Sequence, residues 1–329
     1  MRKILLLSAA VAVTLAGCSK SDEFNDGQQT ELTFFNMMQK NATKGYITGT
    51  EFKESTLGDR DMQISAYLHS QTGPDMSYFS DKTFKKNSSD NYWQNYESST
   101  YKPLYWPIGG TLDFLAFSAK DMSKLTDVTW NNATSVSMKV TPDYLQDDIV
   151  FAYTPGKTSE SVGTNLTEKK GCVPMQFKHS QAWIQINVKA SDADIVTVKS
   201  ISLVNVNNDG KLTVNSSESN VTANWDFTEA SASADITETT DKALTTTSVL
   251  YKEWLIPEQK KTSIDITYTL ANNTSVVLKY NYDLSGGSEG YWQQGKKYVY
   301  NVTITATEIT VDPSMTDWTA ETPVNIDIE

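Results

Sequence analysis

Apolar and polar residues alternate with a period of two along most of this chain, and that pattern leaves few folds open. Met62, Ile64, Ala66 and Leu68 share one side, as do Val136, Met138 and Val140. Ala182, Ile184, Ile186 and Val188 repeat the pattern, and Ile264, Ile266, Tyr268 and Leu270 follow. An Ala-Asn-Asn-Thr turn leads to Val276, Leu278, Tyr280 and Tyr282; after Gly286-Gly287 come Tyr298, Tyr300, Val302 and Ile304. Successive side chains of a strand point to opposite faces, so this period predicts half-buried strands. Short Asn/Gly turns between them predict antiparallel sandwiches or barrels. No long helical period appears. Short helical turns are expected near 142–147, and the polar tracts 80–99 and 228–247 read as long loops. Residues 190–194 are the expected seam between two strand-rich halves.

One segment departs from alternation. Tyr105-Trp-Pro-Ile-Gly-Gly precedes Thr111-Leu-Asp-Phe-Leu-Ala-Phe-Ser. Its aromatics could form a sugar-stacking platform. However, Leu112, Phe114 and Ala116 share one face, and Leu115 and Phe117 share the other with Asp113. A strand apolar on both faces is covered on both sides, so a central strand is expected. Pro107 and the glycine pair stand before it, where no ladder bond is lost. Trp93 and Tyr92, in the polar tract upstream, are the better candidates for exposed stacking.

The N-terminus opens with Arg2-Lys3, a short apolar run, and Leu15-Ala16-Gly17-Cys18. This reads as a secretory signal, too short to span a bilayer as a permanent helix. It ends like a bacterial lipobox, in which the cysteine becomes the lipid-bearing N-terminus, here Cys18. Cys172 is then the only other cysteine and is expected to be buried. Removing Arg2 and Lys3 leaves 26 basic against 40 acidic residues over the 312 that begin at Cys18. That balance, with no basic cluster, argues against nucleic acid as a ligand.

Catalytic and metal-binding patterns are not evident. The two histidines, His69 and His179, lack partners at metal-ligand spacing, and no nucleophile elbow or phosphate loop occurs. No enzyme, cofactor or metal is expected. Asn205-Val-Asn-Asn-Asp209-Gly210 resembles the start of a calcium loop, but its twelfth position is Ser216 where a bidentate Glu is required. A hairpin turn with Asp-Gly at its tip is the expectation there.

Several of these segments, in order, resemble the fimbrillins of Bacteroides and Porphyromonas, lipoprotein precursors of the type V pilus. They are the lipobox, Tyr105-Trp-Pro with Leu112 to Phe117, Asp147-Asp-Ile-Val-Phe-Ala152, and Pro174-Met-Gln-Phe-Lys-His179. Gly290-Tyr-Trp-Gln-Gln-Gly-Lys-Lys-Tyr-Val-Tyr300, Ile309-Thr-Val and Asp317-Trp318 complete the series. Asp22-Glu23 is similar to the short acidic export patch of such lipoproteins. The resemblance implies two transthyretin-like antiparallel β-sandwich domains. The expected division is 1–17 as signal, 18–46 as lipidated tether and removable first strand, 47–190 as N-terminal sandwich and 191–329 as C-terminal sandwich.

The resemblance also implies assembly by strand exchange at the cell surface. A protease cuts after a basic residue, the first strand leaves, and the last strand of another subunit replaces it. The first strand is expected within 31–38, with Leu32, Phe34 and Phe35. Lys44, before Gly45, is the expected cut, with Lys40 and Arg60 as alternatives; Lys44 also reads as an ordinary solvated loop lysine. Val324, Ile326 and Ile328 form one apolar face of a terminal strand, either donated to a neighbour or paired in its own domain. The implied partners are other fimbrial subunits, a maturation protease, the outer membrane through the Cys18 lipid, and a host or bacterial surface ligand. A stalk or tip role fits better than an anchor. The alternative is a monomeric surface lipoprotein that binds glycans through exposed aromatics such as Trp93 or Trp292.

Overall fold

A computed structural model describes residues 30–38, 60–89, 92–119, 121–141, 148–163, 169–191, 196–207, 209–217, 220–228, 230, 233–244, 250–286, 290–305 and 309–317. These residues form strands joined by turns, with one short 3₁₀ turn, and the fold is all-β. The first ten strands are β1 (Thr33–Met38), β2 (Met62–His69), β3 (Met76–Lys86), β4 (Trp93–Glu97), β5 (Thr100–Tyr101), β6 (Thr111–Ser118), β7 (Thr126–Asn131), β8 (Ser135–Val140), β9 (Val150–Lys157) and β10 (Cys172–His179). Next come β11 (Gln181–Ala190), β12 (Val196–Val206), β13 (Gly210–Ser217), β14 (Asn220–Asp226), β15 (Ala234–Ala243) and β16 (Leu250–Pro257). The last are β17 (Gln259–Lys260), β18 (Ser263–Leu270), β19 (Asn273–Asp283), β20 (Tyr291–Trp292), β21 (Lys296–Ile304) and β22 (Ile309–Asp317).

Eight strands make one sheet in the order β1-β10-β9-β6-β2-β3-β4-β5, and it curls until β1 meets β4. The expected central strand is there: β6 lies between β2 and β9. Its Leu112, Phe114 and Ala116 join the core inside the curl with Ile64, Phe84 and Phe177. Its Leu115 and Phe117 face a second core under the sheet β14-β13-β8-β7, with Val136, Met138, Leu212 and Val214. Each face of β6 therefore has its own apolar cover, the physical requirement for a strand apolar on both sides.

The remaining strands form two four-stranded sheets, β16-β11-β21-β22 and β15-β12-β18-β19, and the two-stranded ribbon β17-β20. They share a third core, in which the alternating residues Ile184, Ile186, Ile201, Ile266, Tyr298 and Val302 are buried. Pairing is antiparallel except for β1 with β10 and β11 with β21.

Several expectations need correction. Tracts 80–99 and 228–247 are not long loops: β3 reaches Lys86, β4 begins at Trp93, and β15 runs from Ala234 to Ala243. β15 is an edge strand, and its side chains are largely exposed, so no apolar alternation was required of it. Asp209-Gly210 does not tip a hairpin. β12 pairs with β15 and β18, whereas β13 pairs with β14 and β8, so the chain changes sheets there. Gln259 holds this crossing in place: its Oε1 accepts from Asn207 N at 2.8 Å and its Nε2 donates to Asn207 O at 2.7 Å. The expected boundary at 190 falls at the end of β11. β11 belongs to the third core with β16 and β21, and hairpin β13–β14 returns to cover the first half. Residues 142–147, expected to hold helical turns, lie outside the described residues.

Candidate functional site

The first strand is built into the curled sheet as an insert. β1 runs parallel to β10 over six register positions, from Thr33 opposite Cys172 to Met38 opposite Phe177. On its other side, among the described residues, it meets β4 at Phe34 opposite Trp93. Parallel pairs are slightly weaker per residue than antiparallel ones. Just upstream, Leu32 N donates to Leu104 O at 2.8 Å, Trp106 N donates to Thr30 O at 3.1 Å, and Glu31 bridges Tyr105.

Side chains add to the hold of the ladder on β1. Leu32 and Phe34 are fully buried inside the curl. The Phe34 ring meets Phe84 and Phe114 edge-on, at centroid distances of 4.7 and 5.2 Å. Such pairs add about 0.5–1.5 kcal/mol beyond area burial. Trp106 closes this end of the core: it packs edge-on against Phe114 at 5.7 Å and donates Nε1–H to Gly171 O at 3.0 Å. Gly171 has a φ of 78°, and a Cβ there would stand 2.4 Å from Thr30 Cγ2 and 2.8 Å from Trp106 Nε1. The turn before β10 therefore needs glycine twice over, for its left-handed backbone and for the approach of β1.

Two polar ties fix the upstream end. Lys169 Nζ donates to Glu31 Oε2 at 3.0 Å, and the Tyr101 hydroxyl donates to Glu31 Oε1 at 2.6 Å. Burial, followed by the carboxylate beside it, pushes the Tyr101 hydroxyl well above the ordinary tyrosine range. At the opposite end of β10, His179 Nδ1 and Asp148 Oδ2 are 2.8 Å apart, both buried, and Arg60 Nη1 donates to Asp148 O at 2.7 Å.

The strand expected within 31–38 is present, and Cys172 is buried as expected. Cys18, Lys40, Lys44, Val324, Ile326 and Ile328 lie outside the described residues. Arg60 is a poor alternative cut site: it is buried, its guanidinium bonds to Asp148 O, and its carbonyl accepts from Trp93 Nε1 at 2.8 Å. The two tryptophans named for glycan stacking are also buried. Trp93 packs in the first core, and Trp292 packs in the third with Nε1 donating to the Tyr300 hydroxyl at 2.8 Å. Neither offers a ring face to a sugar, so the glycan-binding alternative loses its named residues. The sequence reading missed Glu31 and Gly171. Their signal was the local pattern Glu-Leu-Thr-Phe and Lys-Gly-Cys, which gains meaning only once β1 and β10 are known to be neighbours.

Among the described residues, no group of three or more His, Cys, Asp and Glu could hold a metal ion. The arrangement is a strand seated in an apolar slot between β10 and β4.

The comparisons agree with this architecture. A family model described as fimbrillin-like matches residues 48–318. A solved structure of a candidate cell adhesion protein from Bacteroides uniformis shares 18% identity at a TM-score of 0.54, covering 88% of this chain and 99% of that one. One from Bacteroides ovatus, also a candidate cell adhesion protein, shares 12% identity at 0.56, covering 90% and 100%. A fimbrial protein from Bacteroides vulgatus shares 16% at 0.50, covering 87% and 99%. These structures support a common fold. No curated protein matches the chain.

Proposed function

Since this chain belongs to the fimbrillin-like family, we propose that it is a structural subunit, stalk or tip, of an adhesive cell-surface fimbria, assembled by strand exchange. In this reading the precursor is exported as an outer-membrane lipoprotein with the lipid on Cys18. Its β1 holds the slot between β10 and β4 closed. A surface protease cuts after Lys44, β1 leaves with the tether, and the terminal strand of another subunit enters with Val324, Ile326 and Ile328.

The observation that carries the proposal is the seating of β1: a parallel ladder of six positions to β10 on one side, contact with β4 on the other, and Leu32 and Phe34 in the core. Removing such a strand exposes a sheet edge and an apolar slot together. A donated strand satisfies both, through main-chain hydrogen bonds and alternate side chains. Burying three aliphatic side chains contributes about 1.5–3 kcal/mol each before the cost of ordering the strand. The family match spans residues 48–318, so both β1 and the terminal segment 322–329 lie outside it.

The test is a deletion of residues 322–329 together with N-terminal sequencing of surface material. The proposal expects a mature chain starting at Gly45, a ladder of polymers on unboiled gels of the intact protein, and a folded, exported monomer from the deletion. Polymers of normal length from the deletion variant would sink it.

A further inference from the structure

One end of the curled sheet gathers exposed apolar side chains. β2 ends there at His69, opposite Thr111 of β6, with Leu68 opposite Met76 of β3. The loop before β6 folds tightly over this end: a Cβ on Gly110 would stand 2.5 Å from His69 O and 3.0 Å from Leu68 Cδ1. That loop carries Ile108, 80% exposed, and Met76, 56% exposed, lies opposite Leu68 at the same end. Tyr105, 37% exposed, belongs to the same end, since its carbonyl accepts from the Tyr78 hydroxyl and its backbone bridges Glu31. Tyr101, 43% exposed, reaches that end through its bond to Glu31. Several charges around this end are paired: Asp75 with His69, Lys102 with Glu97, and Lys169 with Glu31. Single exposed apolar residues are ordinary, but four at one end, two of them tyrosines, point to a contact surface.

The chain indicates what it contacts. Thr30 sits at this end, held by Trp106 N. Only the eleven residues 19–29 separate it from Cys18. Fully extended they reach no more than about 40 Å, and as a relaxed coil they span roughly 18 Å. A lipid on Cys18 therefore brings this end to the bilayer surface first.

We propose that in the lipid-anchored precursor Met76, Tyr101, Tyr105 and Ile108 insert into the headgroup layer of the membrane, so that the molecule stands on this end. The inference rests on the lipidation of Cys18 proposed above. Tyrosine suits such a boundary, with an apolar ring and a polar tip. Ile108 and Met76 have no polar tip and go deeper. Paired rim charges lose less hydration on approach than isolated ions do. A short tether keeps these side chains at high effective concentration near the lipid, so a contact too weak to bind alone becomes occupied. Cutting after Lys44 removes the tether and releases this contact in the same step.

The test uses the chain from Cys18 to Glu329 with Cys172→Ser, so that Cys18 is its sole thiol. Cys18 is coupled to a maleimide lipid in phosphatidylcholine vesicles, and the uncoupled protein serves as reference. Because the tether is chemical, the result does not depend on whether the cell acylates Cys18, which the intact mass of the native protein reads separately. Chloramine-T oxidation of Met76 is followed by mass spectrometry against Met315, 40% exposed on β22 of the other sandwich. Coupling should slow Met76 oxidation on the order of tenfold, a shift of about 1.4 kcal/mol in accessibility, and leave Met315 unchanged. Ile108→Glu should return Met76 towards the reference rate. Three results would overturn the proposal: Met76 oxidised at the reference rate on vesicles, which would leave this end to a protein partner; equal slowing of both methionines; or Met76 still protected in Ile108→Glu.

Discussion

Thr33 of β1 lies in register beside Cys172 of β10, and both are fully buried. A thiol reacts as its thiolate and only when reagent reaches it, so the seated β1 shields Cys172. In a chain carrying Cys18→Ser, a maleimide should label Cys172 slowly. The same chain started at residue 45 should label faster by about tenfold or more, equivalent to at least ~1.4 kcal/mol in the opening equilibrium. A synthetic peptide of residues 30–38 should slow it again. Equal rates with and without β1 would mean that the strand does not cover β10.

Phe34 is the apolar anchor of that strand. Its ring is buried between Phe84 and Phe114. Phe34→Ala removes a large side chain and leaves a cavity, which should destabilise the protein by about 3–5 kcal/mol in urea unfolding. Val277→Ala, on the exposed edge strand β19, should change stability by less than about 0.5 kcal/mol. If the two variants unfold at the same urea concentration, β1 is not part of the cooperative core.

Local pattern told where strands run; it did not tell which strands meet. β2, β8, β11, β18 and β21 were legible because one face of each is buried, so apolar residues recur at every second position. β6 was legible for the opposite reason, since it is covered on both faces. β15 was not, because its side chains are largely exposed, and neither was the 80–86 part of β3, where Phe84 alone is buried. Trp93 was misread as a surface ring because its neighbours Ser88, Ser89, Asp90 and Asn91 are polar. Its burial is decided by Arg60 and Phe34, both distant in sequence. The same holds at Gly210: Asp-Gly looks like a hairpin tip, yet Gly210 pairs with Val140 of β8.

His69 bridges two carboxylates, with Nε2 3.0 Å from Asp113 Oδ2 and Nδ1 2.8 Å from Asp75 Oδ2. Its pKa is raised above the ordinary 6.5, mainly by the bond to Asp113 and then by that to Asp75. A raised histidine contributes stability that is full below 6.5 and is lost as pH rises through the folded value. Asp75 is lowered below 3.8, chiefly by His69, so its share is full above 3.8 and is lost as pH falls through its folded value. The clasp is therefore strongest between these two limits. His69→Gln should lower stability most near pH 5–6, a window set by both shifts, and the difference from the parent should shrink towards pH 8. Because His69 is partly exposed, the effect should be small and should weaken with salt. A difference between the variants that stays constant across this range would remove His69 from the linkage.

The last prediction concerns the division of the chain. A fragment of residues 47–190 was the expected N-terminal sandwich, but hairpin β13–β14 supplies Leu212, Val214, Val221 and Ala223 to the core over Leu115, Phe117 and Phe151. Without the hairpin only β7 and β8 cover that face of β6 and β9, and the rest of it is open to water. The fragment would also end in β11, whose partners β16 and β21 lie beyond it. Further bonds cross the same joint: Trp225 Nε1 donates to Ser180 O at 2.7 Å, and Ile149 N donates to Gln181 Oε1 at 3.0 Å. The fragment should therefore bind an apolar dye and aggregate, whereas the full chain unfolds in one thermal transition. Leu212→Ala in the full chain should cost about 2–5 kcal/mol, and the transition should move as a whole because both sandwiches share the joint. A soluble fragment 47–190 with a sharp transition of its own would show that the returning hairpin is dispensable and that the seam at 190–194 is a true boundary.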